Sequence, residues 1–184
     1  MQHLKTYLLI FSLLFFASLR TYSQAEGEHN EDEPIQHHKL TLATGYGLVQ
    51  KAINEDGKRE LGIIPILGLN YEFWFNRKIA LGLHNDLELS SYVVEDEEGE
   101  HIDRENAIST SLVFLYEPIE GWTLFAGPGY EFEKENSFAL FKIGTDLSKN
   151  FQDGWSAGIG VVYDFKKVNS SLIFGVLVSK RFGK

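Results

Sequence analysis

Cysteine is absent from this sequence of 184 residues, and long apolar runs are nearly absent as well. Without a thiol, the chain forms no disulfide and offers no cysteine for lipid attachment. Its one marked apolar run, residues 7–19, has thirteen residues, fewer than the ~20 that a membrane-spanning helix needs. If the rest of the chain lies in a membrane, it must do so as a closed β-barrel, since only helices and closed barrels pair all of their backbone polar groups in lipid.

Basic residues are also few. The chain has 17 Lys and Arg against 26 Asp and Glu, which gives a net charge of −9. Phosphate binding needs clustered Lys and Arg, and no basic stripe is present, so nucleic acid is excluded as a partner. No recognisable motif joins a nucleophile to a base, and no cofactor fingerprint is present. We therefore expect a protein without enzymatic activity and without a cofactor.

The first residues have the layout of a secretory signal peptide. Lys5 supplies a positive charge, the apolar run follows, and Thr21-Tyr22-Ser23 places small residues at the −3 and −1 positions of a cleavage site. We predict a signal peptide over residues 1–23 and export of the remainder. Residues 24–38 are acidic, polar and interrupted by Pro34, which predicts a disordered leader that contains histidines.

From residue 39 onward, segments with period-two patterning are separated by turn signals. A tilted transmembrane strand needs about 9–11 residues. Tight connections at 76–77, 118–120 and 150–153 alternate with longer, charged ones at 51–59 and 94–104, as in barrels with short periplasmic turns. Residues 39–184 are thus predicted to form an all-β, eight-stranded, antiparallel up-and-down transmembrane barrel. The predicted strands are 39–50, 60–74, 78–93, 105–117, 121–133, 137–149, 154–166 and 170–182.

Charged residues set the phase of the predicted strands, because charge that faces lipid costs several kcal/mol near the midplane. Most strand glycines then share the charged face, where a narrow lumen needs small residues. The other face is oily: residues 63–73 of the second predicted strand place Ile, Pro, Leu, Leu, Tyr and Phe there. A soluble lipocalin-like barrel would show the inverse, and a β-sandwich would not leave carboxylates on one face of nearly every strand. The predicted polar network of the lumen comprises Glu72, His84, Asp86, Glu88, Glu131, Lys142, Asp146, Asp164 and Arg181, with Glu117, Glu133 and Lys166 on the same faces.

A few residues fit this register poorly. Asn85 and Lys180 face lipid, although Lys180 is close enough to a strand end to reach the interface. Pro65 and Pro128 lie inside strands, where each forfeits a ladder hydrogen bond, and β-bulges are the expected repair. Outward aromatic residues gather at the strand ends, which is typical of the two membrane interfaces. They are Phe73, Tyr116, Trp122, Trp155 and Phe182 at the periplasmic end and Tyr92, Tyr130, Phe132, Tyr163 and Phe165 at the outer end.

Over residues 39–182, this pattern resembles the small outer-membrane barrels of the outer-membrane protein A and X type. Val176, Val178 and Phe182 resemble the terminal signal that the barrel-insertion machinery reads, although Gly183-Lys184 follow the aromatic residue here. The stretches 37–40, 82–86 and 126–132 are also similar to those of small porin-like proteins of unassigned function. The resemblance implies a location in a Gram-negative outer membrane and contact with its lipid and lipopolysaccharide, but no substrate.

Two places outside the strands are candidates for metal binding. Imidazoles and carboxylates are suitable ligands, so His29, His37 and His38 of the leader form a candidate weak metal site. The acidic loop 94–104 is a candidate site for divalent cations, although a solvated charge run is the commoner explanation of its sequence. Within the lumen, we interpret the charges as a structural network of ion pairs rather than a catalytic set.

The predicted function is that of an outer-membrane barrel with a lumen filled by polar side chains and a structural, envelope or surface-interaction role. A narrow porin-like channel for small solutes or cations is the alternative. A lipid A-modifying enzyme is less favoured, because such enzymes carry a catalytic histidine toward the membrane and the predicted outward faces carry none.

Overall fold

The structure, a computed structural model, describes residues 35–53, 59–95, 101–133, 137–167 and 170–183. These residues form ten β-strands and one short 3-10 turn, η1, at Gln152–Gly154. None of the described residues belongs to a helix long and apolar enough to cross a membrane. The strands are β1 His38–Ile53, β2 Arg59–Trp74, β3 Ile79–Glu88, β4 Ser91–Glu95, β5 His101–Glu105, β6 Ile108–Ile119, β7 Trp122–Phe132, β8 Phe138–Asn150, β9 Trp155–Lys166 and β10 Ser171–Phe182.

Eight of these strands close into a barrel. They are hydrogen-bonded in the order β10-β9-β8-β7-β6-β3-β2-β1, and β1 pairs with β10 to complete the ring. All the pairs are antiparallel, and the closing pair runs from His38↔Phe182 to Val49↔Ser171. Closure leaves no open edge in the wall, so every wall strand finds partners on both sides. The predicted eight-stranded up-and-down barrel is confirmed.

Side chains of the wall alternate between an oily exterior and a mixed interior. In β6, Leu112 and Phe114 are exposed, whereas Ser111, Val113 and Leu115 are fully buried. One apolar cluster inside the barrel fills part of its cross-section and consists of Trp74, Ala80, Val113, Leu115 and Phe125. The predicted partition of the strand faces is therefore confirmed, and the exterior is the surface that a hydrocarbon environment stabilises.

A hairpin that the sequence did not predict lies across the outer mouth. β3 ends at Glu88, Leu89 and Ser90 leave the strand, and β4 pairs with β1 at Ala52↔Val94 and Ile53↔Val93. The pairing of β1 with β10 ends at Val49. Beyond that residue, β4 pairs with β1 in place of β10. The predicted third strand, 78–93, is thus two strands, and the predicted loop 94–104 contains the end of β4 and most of β5. We refer to β4 and β5 as the mouth hairpin.

The mouth hairpin is anchored by its own apolar contacts. Val94 is fully buried and packs with Val49 of β1 and Ile64 of β2, and Tyr92 and Ile102 lie against this cluster. Tyr92 therefore points into the barrel mouth, and the prediction that it belongs to the outer aromatic ring is wrong. One face of the hairpin is apolar, and it covers the outer end of the lumen because it packs against the apolar residues of the wall below it.

The residues that fitted poorly are accommodated locally. Asn85 does lie outward, and its amide donates to the Leu69 carbonyl at 2.9 Å and accepts from the Thr110 hydroxyl at 3.0 Å. Lys180 donates to the Asp153 carbonyl at the periplasmic end, with its ammonium 5.1 Å from the ring centroid of Trp155. Both polar groups are thus paired without a place in the lumen.

The bulges expected at the two prolines are not found. The Pro65 carbonyl accepts from Leu89 N at 2.8 Å. Because the nitrogen and carbonyl of one strand residue point to the same side, the Pro65 nitrogen also faces Leu89, which lies just beyond the end of β3. On either side of Pro128, the register of β6 with β7 is unchanged. The two strands come very close there, because a Cβ on Gly127 would lie 1.9 Å from the Leu112 carbonyl oxygen. Glycine beside Pro128 permits that approach without a register shift.

Candidate functional site in the barrel lumen

The periplasmic end of the lumen is closed by paired charges around Trp74. Glu72 is buried, accepts from the Trp74 indole at 2.9 Å and pairs with Lys39 at 3.3 Å. Arg181 lies 4.3 Å from the same indole ring and pairs with Glu117 at 2.7 Å. The alternating strand geometry brings these groups together, because each lies on the inward face of its strand near the periplasmic end.

Above this layer, a buried lysine bridges two aspartates. Lys142 of β8 is 1% exposed, and its ammonium lies 2.8 Å from both Asp86 of β3 and Asp164 of β9. β3 and β8 stand on different sides of the ring, with β6 and β7 between them. Lys142 therefore extends across the lumen and obstructs it.

The outer mouth holds the densest set of charges. Glu131 of β7 is fully buried and pairs with both Lys166 of β9 and Arg104 of the mouth hairpin. Lys166 also contacts Glu88 at 3.0 Å, which in turn accepts from the Tyr92 hydroxyl at 2.6 Å. The hairpin is thus tied to the wall by Tyr92 and Arg104 as well as by its apolar residues.

The surroundings of the mouth hairpin keep Tyr92 and Arg104 protonated. Burial raises the pKa of the Tyr92 hydroxyl, and the neighbouring Glu88 carboxylate raises it further. Burial disfavours the Arg104 guanidinium, but Glu131 and the other groups around it together hold its pKa above the ordinary value. Burial also raises the pKa of Glu133, which lies 3.2 Å from Arg104. Arg104 therefore stays charged, and its loss would remove the base that pairs with Glu133 and leave Glu131 paired with Lys166.

Acids outnumber bases in the described lumen. The inward acids are Glu72, Asp86, Glu88, Glu117, Glu131, Glu133, Asp146 and Asp164, and the inward bases are Lys39, Arg104, Lys142, Lys166 and Arg181. The ion pairs described above use every one of these groups except Asp146. That carboxylate, 9% exposed, has no hydrogen bond or ion pair among the described residues.

Asp146 borders a cavity of about 50 Å³ in the middle of the lumen. The polar residues of its lining include Thr41, Asn70, His84 and Asp86. His84 is 3% exposed, and its Nε2 atom lies 3.8 Å from Glu72 without a hydrogen-bond partner in the described part of the chain. Charged layers lie toward both ends of the barrel from this cavity.

All nine residues predicted for the lumen network lie on inward faces, and eight of them take part in the contacts just described. The sequence prediction missed Lys39 and Arg104. The first strand offered a signal for Lys39, because its outward leucines place residue 39 on the opposite face. Arg104 had no such signal, since residues 101–105 lie beside a run of acids and do not resemble a barrel strand.

The candidate metal ligands of the leader are not brought together in the described residues. His38 is the first residue of β1, where its Nδ1 lies 2.6 Å from the Tyr71 hydroxyl and its ring stacks on Phe182. The Nδ1 of His37 lies 2.8 Å from the Trp74 carbonyl. His29 and residues 96–100 of the acidic loop lie outside the described residues, and no group of three potential metal ligands is found within them. The two leader histidines that the structure describes, His37 and His38, belong to the periplasmic rim of the barrel.

A closed ring of eight antiparallel strands, with an apolar exterior and a charged interior, defines a transmembrane β-barrel of the outer-membrane type. Such a wall is stable only where hydrocarbon covers it. The protein is therefore located in an outer membrane, as the sequence predicted.

No protein-family model and no curated protein matches this sequence. Among solved structures, the chain is similar to Ail, the attachment invasion locus protein of Yersinia pestis, in complex with the heparin analogue sucrose octasulfate: identity is 15%, the TM-score is 0.50, and the match covers 79% of this chain and 99% of that one. Neisserial surface protein A is similar at 8% identity and a TM-score of 0.51, with 79% and 97% covered. At these identities the likeness shows the fold alone. It confirms the expected resemblance to small outer-membrane barrels.

Proposed function

We propose that this protein is a closed, non-conducting outer-membrane barrel that acts in the envelope or at the cell surface through its outer end. The observation that carries this proposal is the blocked lumen. Lys142 crosses the middle, the Trp74 layer fills the periplasmic end, and the mouth hairpin covers the outer end. A rigid wall with an obstructed interior is suited to present loops rather than to pass solutes.

The charge of the outer end indicates which partners it accepts. The connection 94–104 is rich in Asp and Glu, with six acids and one Arg, whereas 51–59 has two acids and three bases. Ail was solved with a polyanionic sugar analogue, but an acidic surface repels polyanions. For this chain we propose basic partners, or lipopolysaccharide bridged by divalent cations at 94–104. Cell-binding assays with cationic and anionic polymers test this choice, and stronger binding of heparin than of polylysine would refute it.

Single-channel recording in planar bilayers tests the closed lumen. Purified barrel is expected to give no current steps above background in 1 M KCl. Arg104→Gln and Lys142→Met provide a comparison, because each removes a charge whose ion pairs hold a layer of the lumen together. Regular current steps from the unaltered barrel would contradict the proposal.

A narrow cation channel is the second candidate, favoured by the excess of acids in the lumen and by the cavity beside Asp146. Cation-selective current steps from the unaltered barrel would establish it. A lipid A-modifying activity has less support: within the described residues, the histidine on the exterior, His38, lies at the periplasmic rim and not at the outer rim. Lipid A mass spectra with and without expression test that activity.

A further inference from the structure

The carboxylate of Asp146 is the starting point, because no ion pair of the described lumen includes it, although the charge of Lys39 acts on it from a distance. An isolated ion in a closed, low-dielectric interior costs several kcal/mol unless something neutralises it. The charged groups around its cavity are Lys39 on β1, Glu72 on β2, Asp86 on β3 and Lys142 on β8, with His84 beside them. Glu72 already binds Lys39, and Lys142 is shared between Asp86 and Asp164, so neither base is free for Asp146.

The cavity in front of Asp146 has the size and lining of a small-ion site. A volume of about 50 Å³ holds a few water-sized species, since roughly 10–15 Å³ of such space is enough for one. Thr41, Asn70 and Asp86, whose side chains carry oxygens, line the same cavity; the Thr41 hydroxyl donates to Ser179 at 2.9 Å, and the Asn70 amide oxygen accepts from Asn85 N at 3.2 Å. The remaining lining includes the apolar side chains of Phe125 and Leu177, together with Lys142.

We propose that the cavity binds one small monovalent cation of the Na⁺ class, with the Asp146 carboxylate as its principal ligand. Hard oxygen ligands suit such an ion. Divalent ions usually take several carboxylates, and the described residues hold no group of three potential metal ligands. A water on the ion donates to the unpartnered Nε2 of His84. The ion neutralises the one carboxylate that the described ion pairs leave out, whether or not the outer end has the surface role proposed above.

Thermal unfolding of the refolded full-length barrel in detergent at pH 8 tests the site, with NaCl and N-methyl-D-glucamine chloride compared at equal concentrations. A ligand that binds only the folded state raises its stability in proportion to ln(1 + [L]/Kd). The unfolding temperature of the unaltered barrel should therefore rise with the logarithm of NaCl concentration and stay constant with N-methyl-D-glucamine chloride, whose cation is too large for the cavity.

Three variants identify the residue responsible. Asp146→Asn should abolish the difference between the two salts. Gly160→Ala should do the same without a change of charge, because a Cβ at residue 160 would lie 2.4 Å from Asp146 Oδ1. Asp153→Asn is the matched control at an exposed turn with φ 59°, which Asn tolerates, and it should keep the difference.

Equal unfolding temperatures of the unaltered barrel in both salts would overturn the proposal and leave Asp146 neutralised by a proton. A salt difference that persists in Asp146→Asn would also overturn it, since the ion would then bind elsewhere. Crystals soaked in thallium(I) acetate give a second readout that needs no variant. An anomalous peak in the cavity beside Asp146 is expected, and its absence at full soaking would refute the site.

Discussion

The lysine that crosses the lumen allows a quantitative test of the network. Lys142→Met keeps the length of the side chain but removes its charge, which leaves Asp86 and Asp164 facing each other without the ammonium that lies 2.8 Å from each. Removal of one partner from a buried pair typically costs about 3–5 kcal/mol, because the remaining charge stays desolvated. We expect the free energy of unfolding to fall by about that amount.

A triple variant separates the charge effect from packing. Lys142→Met combined with Asp86→Asn and Asp164→Asn removes all three charges, and replacement of a whole buried ion-pair group is often close to neutral. The triple variant should therefore recover at least half of the loss. Urea unfolding of the barrel in lipid vesicles, followed by tryptophan fluorescence, measures both values, with unchanged m-values as the check on two-state behaviour. A single variant that loses less than about 1 kcal/mol, or a triple variant no more stable than the single one, would refute the reasoning.

The other predictions concern the exterior and the mouth hairpin. Phe114→Arg places a charge on the lipid face and should cost about 2–4 kcal/mol in the same assay, whereas Phe114→Leu should cost much less; equal losses would count against a lipid-facing wall. Arg104→Gln should speed cleavage of the mouth hairpin by external protease at least tenfold, since a loss of about 1.4 kcal/mol of local stability is a factor of ten. Lys78→Gln is the control and should leave the cleavage rate unchanged. If Arg104→Gln also leaves the rate unchanged, Arg104 does not anchor the hairpin. The raised pKa of Tyr92 means that the folded barrel keeps this phenol protonated where the unfolded chain ionises, so stability falls as the pH rises above ~10. Absorbance at 295 nm measures the number of ionised tyrosines. At pH 11 the folded wild type and folded Tyr92→Phe should show the same number, and one more in the wild type would contradict the buried position of Tyr92.

Much of the wall was predictable because lipid imposes a strict choice on each strand. A carboxylate such as Asp86 or Asp164 cannot face hydrocarbon cheaply, and with a period of two it fixes every other residue of its strand. The same reasoning placed Asp146 inward. Its lack of a partner was not predictable, because that depends on which bases reach across the ring from other strands.

The mouth hairpin was missed for a different reason. β4 and β5 have five residues each and flank a run of acids, so their local pattern is that of a solvated loop. What holds them is tertiary: Val94 packs on Val49 and Ile64, and the open edge of β1 above Val49 offers hydrogen bonds. This edge is open because the pairing of β1 with β10 ends at Val49, and the sequence near β4 and β5 carries no signal for it.

The position of His38 shows a similar limit. Its polar neighbours in sequence favoured a disordered leader, but its ring packs against Tyr71, Phe73 and Phe182 on two adjacent strands. Those contacts depend on barrel closure between β1, β2 and β10. The strand therefore begins where its outward side chain finds aromatic partners, one residue before the predicted start.

Spin labels on the exterior test the central claim most directly, and the absence of cysteine makes single-site labelling clean. Labels at Leu112 and Val176, in the middle of β6 and β10, are predicted to collide readily with oxygen and rarely with a water-soluble nickel chelate in vesicles, while a label at Asp153 in the periplasmic turn should do the reverse. Free access of the nickel chelate to Leu112 and Val176, or labels immobilised there as in a protein core, would contradict a wall that faces lipid.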